Sequence, residues 1–243
     1  MNLPSKILIG LAVLVFGISG FYNLSYPTAS FNYRLSLEVM TPEGPKTGSG
    51  VIQVSYGSTF NLNGGGRRGV IRVTGEAVPV DLGHGKFLFA TLTNVMSGRQ
   101  GSLGKLDGAL DARWLPVKIF GFNWNWGEER SLASQAAVAK EGGVREVPLV
   151  SLPTLITFQD LKEPGSVLLV RAENVSAVLG TGYSLTSATI QLTNDPPTEG
   201  IEKLLTWLGK HPEPPLGRSK NIYQPDLKGL IHHGDLKLVG MGQ

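Results

Sequence analysis

Apolar and polar residues alternate strictly along residues 31–39, and this period of two predicts an antiparallel strand with one face in water. The same period returns in later segments, which are bounded by turn-forming glycine and proline residues. These segments cover residues 51–56, 70–73, 77–82, 86–92, 154–158, 166–171 and 183–193. We therefore predict a mainly β domain, built as an antiparallel β-sandwich or an open barrel.

Turn-forming residues indicate how several of these strands are connected. Residues 41–45 hold two prolines and a glycine, so we expect the first two strands to form a hairpin with a long connection. Residues 83–86 read Gly-His-Gly-Lys and predict a tight turn into the next strand. The apolar run Trp114–Phe122 is interpreted as a further strand.

Helical spacing of apolar residues occurs in short segments. Residues 131–140 hold good helix formers and are followed by two glycines. Residues 198–208 repeat leucine and isoleucine at helical spacing, with Thr198 as the N-terminal cap and Gly209 after the last turn. The predicted fold class is thus mainly β with one or two short helices, preceded by an N-terminal transmembrane helix.

That transmembrane helix is predicted from the apolar segment from Ile7 to Tyr22. This segment shows neither the alternation of a half-buried strand nor the polar face of a helix on a soluble domain. No charged residue lies between Lys6 and Arg34. A helix over residues 7–24 would be about 27 Å long, close to the hydrocarbon core of a bilayer, which is about 30 Å thick. The lysine precedes the segment and aromatic residues follow it, which predicts a single-pass anchor with the N-terminus inside the cell.

A cleaved signal peptide is the alternative interpretation, because small residues around Gly20 suit a signal peptidase. Both interpretations export the remainder of the chain. We expect the protein at the inner (cytoplasmic) membrane, with its domain in the periplasm. Residues Ile7 to Tyr22 are expected to make the contact with the membrane.

These patterns divide the chain into three parts. Residues 1–28 are the membrane anchor or uncleaved signal, residues 29–209 the β-rich exported domain, and residues 210–243 a proline-containing C-terminal extension. The 32 glycines and 15 prolines of the 243 residues fit a domain with many turns. The absence of cysteine excludes a disulfide framework, a thiol nucleophile and a lipoprotein anchor.

Charge and motifs restrict the chemistry further. The 22 basic and 19 acidic side chains are interspersed, so no nucleic-acid partner is predicted. The chain has no Gly-x-Ser-x-Gly nucleophile elbow, and residues 44–50 hold the elements of a phosphate loop in the wrong order. His232 and His233 are adjacent, and adjacent side chains would point to opposite faces of a strand, so they would not form a metal site on their own. We predict no catalytic residue, no metal site and no cofactor.

Candidate contact residues come from two places in the chain. The stretch Phe122-Asn123-Trp124-Asn125-Trp126 alternates aromatic rings with amides, which suits stacking on a ligand or contact with a partner. An aromatic edge strand or a membrane-facing loop explains the same pattern without a ligand. The resulting candidates for ligand or partner contact are Trp124, Trp126 and Arg130 from this region, and Leu204 and Trp207 from the predicted helix.

Three segments carry a resemblance to a known family. Residues 33–39 with 41–44, residues 75–82 leading to 88–90, and residues 200–208 (GIEKLLTWL) resemble an uncharacterised family of bacterial membrane-anchored envelope proteins of unknown function. The similarity covers residues 33–208 and implies a location at the membrane, but no activity. Thr206 stands where the family often has a proline before the tryptophan.

Three classes of function stay open at this point. The first is a non-enzymatic, membrane-anchored envelope protein with an interaction or scaffolding role and an envelope protein as partner. The second is an envelope glycan or lipid hydrolase that uses carboxylates from separate strands, and the third is a small-ligand-binding β-domain. A deep polar cleft with two carboxylates would favour the second, and an enclosed apolar cavity the third.

Overall fold

The computed structural model describes residues 25–61, 66–95, 108–209, 215–219 and 226–239. Its strands are β1 (Thr28–Thr41), β2 (Gly44–Asn61), β3 (Gly66–Glu76), β4 (Val78–Gly83), β5 (Lys86–Ala90), β6 (Arg145–Glu146), β7 (Leu155–Phe158), β8 (Val167–Val170), β9 (Ser184–Thr193) and β10 (Lys237–Leu238). Its helices are α1 (Leu115–Phe120), α2 (Glu129–Glu141), α3 (Ser176–Leu179) and α4 (Leu227–Leu230). The prediction of a mainly β fold with few short helices is confirmed.

The strands form two antiparallel sheets. The main sheet has the order β10-β3-β2-β1-β9-β6, and the second sheet has the order β4-β5-β7-β8. The chain leaves the main sheet at the end of β3 and enters the second sheet one residue later, at Val78. Alternate residues of β1 are buried, which is the pattern that its sequence predicts.

The connection between β1 and β2 differs from the expected long loop. Thr41 pairs with Gly44, so only Pro42 and Glu43 form the turn. The Thr41 hydroxyl donates to the Gly44 carbonyl at 2.8 Å and accepts from the Glu43 backbone N–H at 3.2 Å. Gly44 has a φ of 113°, a conformation that favours glycine. The first residues of β2 are glycine, proline or polar residues, so the apolar pattern does not indicate a strand there.

Two glycines let the sheets approach each other. Gly48 and Gly50 lie on the inner face of β2, where β4 crosses it. A Cβ atom at Gly48 would lie far closer than 3.0 Å to the backbone carbonyl oxygen of Pro79, and one at Gly50 would lie 3.0 Å from Val78 Cγ2. The close packing of β4 on β2 therefore requires a residue without a side chain at position 48.

The core has two parts, one on each face of the second sheet. The first part lies between the two sheets, and its largest fully buried members include Tyr33, Leu35, Leu37, Ile52, Tyr56, Leu82 and Leu88. The second part covers the opposite face of the second sheet and includes Phe89, Ile156, Phe158, Ile201, Leu205, Leu208, Leu227, Leu230, Ile231 and Leu236. The chain after residue 200 thus forms a third layer over the second sheet.

The proline-containing extension over 210–243 contributes to this layer wherever it is described. Helix α4 supplies two buried leucines, and β10 adds a strand to the edge of the main sheet beside β3. Leu216 also packs into the second part of the core, and its backbone N–H donates to the Ile231 carbonyl at 2.9 Å. Residues 215–219 and 226–239 therefore belong to the folded domain.

Two further local predictions are wrong. The expected strand at Trp114–Phe122 is helix α1, which has Pro116 in its first turn and ends at Gly121 with a φ of 69°. Proline at the start and left-handed glycine at the end are typical of helix boundaries. The expected helix over residues 198–208 contains one 3₁₀ turn, Ile201–Lys203. The Thr198 hydroxyl accepts from the Val51 backbone N–H at 2.8 Å, so it binds the edge of β2 rather than capping a helix.

The helix predicted at residues 131–140 is present as α2. Among the described residues, no helix has the length and apolar character needed to cross a bilayer. The predicted membrane segment, Ile7 to Tyr22, lies outside the described residues.

A buried ion pair fastens β10 to the main sheet. Lys237 Nζ lies 2.9 Å from Glu76 Oε1 and also contacts the Glu202 carboxylate. Glu76 is 4% exposed, and its second oxygen accepts from the Ile201 backbone N–H at 2.8 Å. The ion pair thus joins β3, β10 and the 3₁₀ turn at residues 201–203.

Replacing Lys237 by methionine should lower the free energy of unfolding by about 3 kcal/mol, because the Glu76 carboxylate would stay buried without its cation. Urea denaturation of the full-length protein measures this loss. The double variant Glu76→Gln/Lys237→Met removes both charges and should recover much of the stability. A double variant that is no more stable than Lys237→Met would show that the ion pair is not the cause.

Lys237→Met should also change how the free energy of unfolding depends on pH in the acidic range. The hydrogen bond from Lys237 holds the pKa of Glu202 below its usual range. A carboxyl group with a lowered folded-state pKa stabilises the fold above its unfolded pKa of about 4.3, and this contribution disappears as the pH falls through the folded value. Stability should therefore fall less steeply below about pH 4 in Lys237→Met than in the wild type.

Candidate functional site

An aromatic loop, defined here as residues 121–128, crosses the inner face of the main sheet where the second sheet does not cover it. Its three rings lie at alternate positions, and each contacts a different strand. Phe122 packs edge-on against Phe31 of β1, with ring centroids 5.9 Å apart, and Trp124 packs edge-on against Tyr56 of β2 at 5.0 Å. Trp126 lies on β3, at a glycine. The aromatic rings occur at every second residue because the loop is extended, so alternate side chains face the sheet as the loop crosses three strands.

The third contact depends on Gly69 of β3. A Cβ atom at this position would lie 2.5 Å from Cε3 of the Trp126 ring, so the indole occupies the space of the missing side chain. The Trp126 ring centroid is 4.7 Å from that of Trp124. Even so, 51% of Trp126 is exposed to solvent. The loop thus holds one large aromatic side chain in a fixed, half-exposed position.

Side chains of α2 and of the loop itself fix this conformation. The Gln135 side chain donates to the Asn123 carbonyl at 2.7 Å and accepts from the Asn123 backbone N–H at 2.9 Å, as a neighbouring strand would. The Glu128 carboxylate accepts from the Asn125 backbone N–H at 3.1 Å. Glu129 accepts from the backbone N–H of Gly127 at 3.1 Å.

Three buried polar atoms around the loop have no hydrogen-bond partner within the described part of the chain. They are Ser58 Oγ, Trp124 Nε1 and Glu129 Oε2. Ser58 is the residue of β2 that pairs with Gly69, and Glu129 is fully buried at the start of α2. An unsatisfied buried polar group costs about 1–3 kcal/mol, and such groups in a native fold require an explanation. Their concentration marks this end of the main sheet as the candidate functional site.

Two buried tyrosines of β1 and β2 hold the segment before α1, next to the aromatic loop, through hydrogen bonds. The Tyr33 hydroxyl donates to the Ala112 carbonyl at 3.0 Å, and the Tyr56 hydroxyl donates to the Arg113 carbonyl. Burial raises the pKa of both phenols, so they stay protonated and act as hydrogen-bond donors. They hold the segment before α1 against the sheet, and Trp114 at its end lies 6.1 Å from Trp124 between ring centroids.

The five residues predicted to contact a ligand or partner lie in two separate places. Trp124 and Trp126 belong to the aromatic loop, and Arg130 is exposed in the first turn of α2. Leu204 and Trp207 pack against the second part of the core instead. Trp207 Nε1 donates to the Leu161 carbonyl at 2.7 Å, and its ring lies 5.7 Å from that of Phe158.

Sequence reasoning missed several residues that position the loop: Tyr56, Ser58, Gly69, Glu129 and Gln135. The alternation of rings in residues 122–126 carried the available signal, since an extended segment with one aromatic face requires an apolar surface to cover. Which strands supply that surface depends on pairing between distant parts of the chain.

The histidines and Asp235 have structural roles where they are described. His84 occupies the turn between β4 and β5 with a φ of 53°, and its ring contacts the Glu43 carboxylate. Asp235 accepts a hydrogen bond from the His232 backbone N–H at 2.7 Å. Within the described ranges, no group of three or more His, Cys, Asp or Glu side chains is placed to hold a metal ion.

An open groove lies elsewhere, on the side of β7 and β8. Its volume is about 410 Å³, and its walls are mainly apolar, formed by Leu149, Leu152, Pro153, Leu155 and Val170. Arg171 and Glu173 also line it.

Comparison with known proteins does not assign this chain to a family. The chain matches no protein-family model, no curated protein and no solved structure. The interpretation of the aromatic loop therefore depends on its own contacts within the domain.

Proposed function

We propose that the protein is a single-pass, membrane-anchored protein of the bacterial envelope, and that its β domain has a non-enzymatic interaction or scaffolding role. In this proposal, Ile7 to Tyr22 span the inner membrane as an uncleaved signal-anchor with the N-terminus inside. The domain then lies in the periplasm and contacts an envelope protein partner.

The observation that supports this proposal most strongly is the short link between the apolar segment and the domain. Residues 23–27 separate Tyr22 from Thr28, the first residue of β1. Five residues span at most about 17 Å when fully extended. Because β1 is flanked by β2 and β9 in the middle of the main sheet, the span would be coupled directly to the best-paired part of the domain.

The outer face of the main sheet supplies a surface suited to a partner. Gln53 donates to Asn32 Oδ1 at 3.0 Å, and Asn32 donates in turn to the Asp195 carbonyl at 2.8 Å. Arg34 and Asp195 form an ion pair at 2.6 Å, which holds the pKa of Asp195 below its usual value. These side chains are exposed or half-buried and already ordered by one another. A partner that binds here would therefore find them arranged at a low entropic cost.

The full-length protein should fractionate with the inner membrane and resist extraction by alkaline carbonate. Leu14→Arg is the matched control, because an arginine near the centre of the span costs about 3 kcal/mol and should weaken insertion. Membrane fractionation followed by immunoblotting measures both proteins. Recovery of a soluble periplasmic form that begins near Gly20 or Phe21 would overturn the anchor and show a cleaved signal peptide instead.

A further inference from the structure

The hairpin of β2 and β3 projects toward the side from which the chain enters the domain. Thr28 pairs with Gly57, whereas β2 continues to Asn61 and pairs there with Gly66. The four additional residues of β2 extend about 14 Å beyond the start of β1, at about 3.4 Å per residue. This distance is within the maximum reach of the link that precedes Thr28, about 17 Å.

The aromatic loop lies on the same end of the main sheet. Trp126 covers Gly69, which lies within the projecting part of the hairpin, opposite Ser58. A bilayer that holds residues 7–22 would therefore lie next to the hairpin and the exposed Trp126 ring.

The side chains at this end suit the surface of a bilayer. Indole rings are enriched at the membrane interface, where the ring contacts the acyl boundary and the N–H group contacts polar headgroups. Arg68 is exposed next to Gly69 in β3, on the opposite face of the sheet from Trp126, and Arg130 is exposed four residues after Trp126. Basic side chains near a membrane surface are each attracted to anionic lipid by about 1 kcal/mol.

We infer that Trp126, Arg68 and Arg130 seat the domain on the anionic phospholipid surface of the membrane that anchors it. The inference rests on the proposed anchor, because β1 begins at this end of the sheet and residues 7–22 precede it by a short link in the sequence. The seated domain has a fixed orientation, with the long axis of β1 and β2 directed away from the membrane. Its polar outer face then stands upright in the periplasm, accessible to a partner.

Tryptophan fluorescence of the full-length protein in vesicles tests the seating. The vesicles contain phosphatidylethanolamine and phosphatidylglycerol whose acyl chains are brominated near the headgroup, so that only a tryptophan at the interface is quenched. We expect the wild type to be quenched and Trp126→Phe to lose most of the quenched component. Trp207→Phe is the matched control, because Trp207 packs against the far face of the second sheet and should leave the quenching unchanged.

The lipid charge and the arginines provide a second readout. Exchange of phosphatidylglycerol for phosphatidylcholine should reduce the quenching, and so should Arg68→Gln/Arg130→Gln in the anionic vesicles. Trp126→Phe and Arg68→Gln/Arg130→Gln change exposed side chains, and their circular dichroism spectra should match that of the wild type.

Vesicle flotation separates failure of the seating from failure of the anchor. Protein that floats with the vesicles but shows equal quenching in the wild type and Trp126→Phe would overturn the seating alone. Protein that does not float would overturn the anchor and, with it, the seating. Protection of Trp126 from aqueous acrylamide without quenching by the lipids would place this surface on a protein partner or a second copy, which also contradicts the inference.

Discussion

Replacing Gly48 by alanine is expected to lower the free energy of unfolding by about 3 kcal/mol. The added Cβ atom would overlap the carbonyl oxygen of Pro79, which belongs to the backbone of β4 and cannot rotate away as a side chain can. Relief would require β4 to separate from β2, which would open the core between the two sheets. In a folded region of this size, such a loss corresponds to a decrease of about 6–12 °C in Tm.

Thermal unfolding of the full-length protein, followed by circular dichroism, measures this effect, and two other glycines serve as controls. At Gly66 an added Cβ meets no described atom within 4 Å, so Gly66→Ala should leave Tm nearly unchanged. At Gly50 the nearest atom is a methyl group of Val78, so Gly50→Ala should have an intermediate effect. Equal melting temperatures for the three variants would refute the close packing of β4 on β2.

Leu205→Asp should destabilise the protein by about 3–5 kcal/mol, because an unpaired carboxylate would replace a fully buried leucine. Leu205 packs among the residues that cover the second sheet, and its backbone N–H donates to the Ile201 carbonyl at 2.9 Å. The matched variant is Leu204→Asp. Leu204 is only half-buried, so an aspartate there can reach water and should cost much less.

Urea denaturation of both variants distinguishes a core segment from a docking surface for a partner. A large loss for Leu205→Asp and a small loss for Leu204→Asp would agree with residues 201–208 packing against the second sheet. If Leu205→Asp unfolds at the wild-type urea concentration, the segment is not part of the core. In that case, the apolar side chains of residues 201–208 would become the first candidates for a partner surface.

Local sequence patterns located each of the long strands, although they predicted only residues 51–56 of β2 and residues 70–73 of β3. In residues 31–39 the alternation directly predicts which side chains are buried, since an antiparallel strand with one wet face has the same period as its sequence. The Gly-His-Gly-Lys turn at residues 83–86 is local for the same reason: its backbone conformation depends on the residues within it. Helix α2 also follows from its own helix-forming residues and the glycines after it.

Local patterns failed where the same pattern suits two structures. Trp114–Phe122 is apolar enough for a strand, but Pro116 and Gly121 fit the start and the end of a helix, and the chain folds as α1. Residues 198–208 have helical spacing, yet the edge of β2 offers Thr198 a backbone partner, and only one 3₁₀ turn forms. In both cases a few specific hydrogen bonds and backbone preferences outweigh the average propensity of the segment.

The sequence by itself determined the β-rich class of the domain, the positions of the long strands and the uncharged N-terminal stretch, because these depend on residues close together in the chain. The tertiary structure decided that Trp124 and Trp126 lie across β2 and β3, that Leu205 rather than Leu204 is core, and that β10 pairs with the edge of the main sheet, where Lys237 reaches Glu76. Each of these contacts joins residues far apart in the chain. Their formation depends on the register of the strands and the fit between the two sheets, which no single segment encodes.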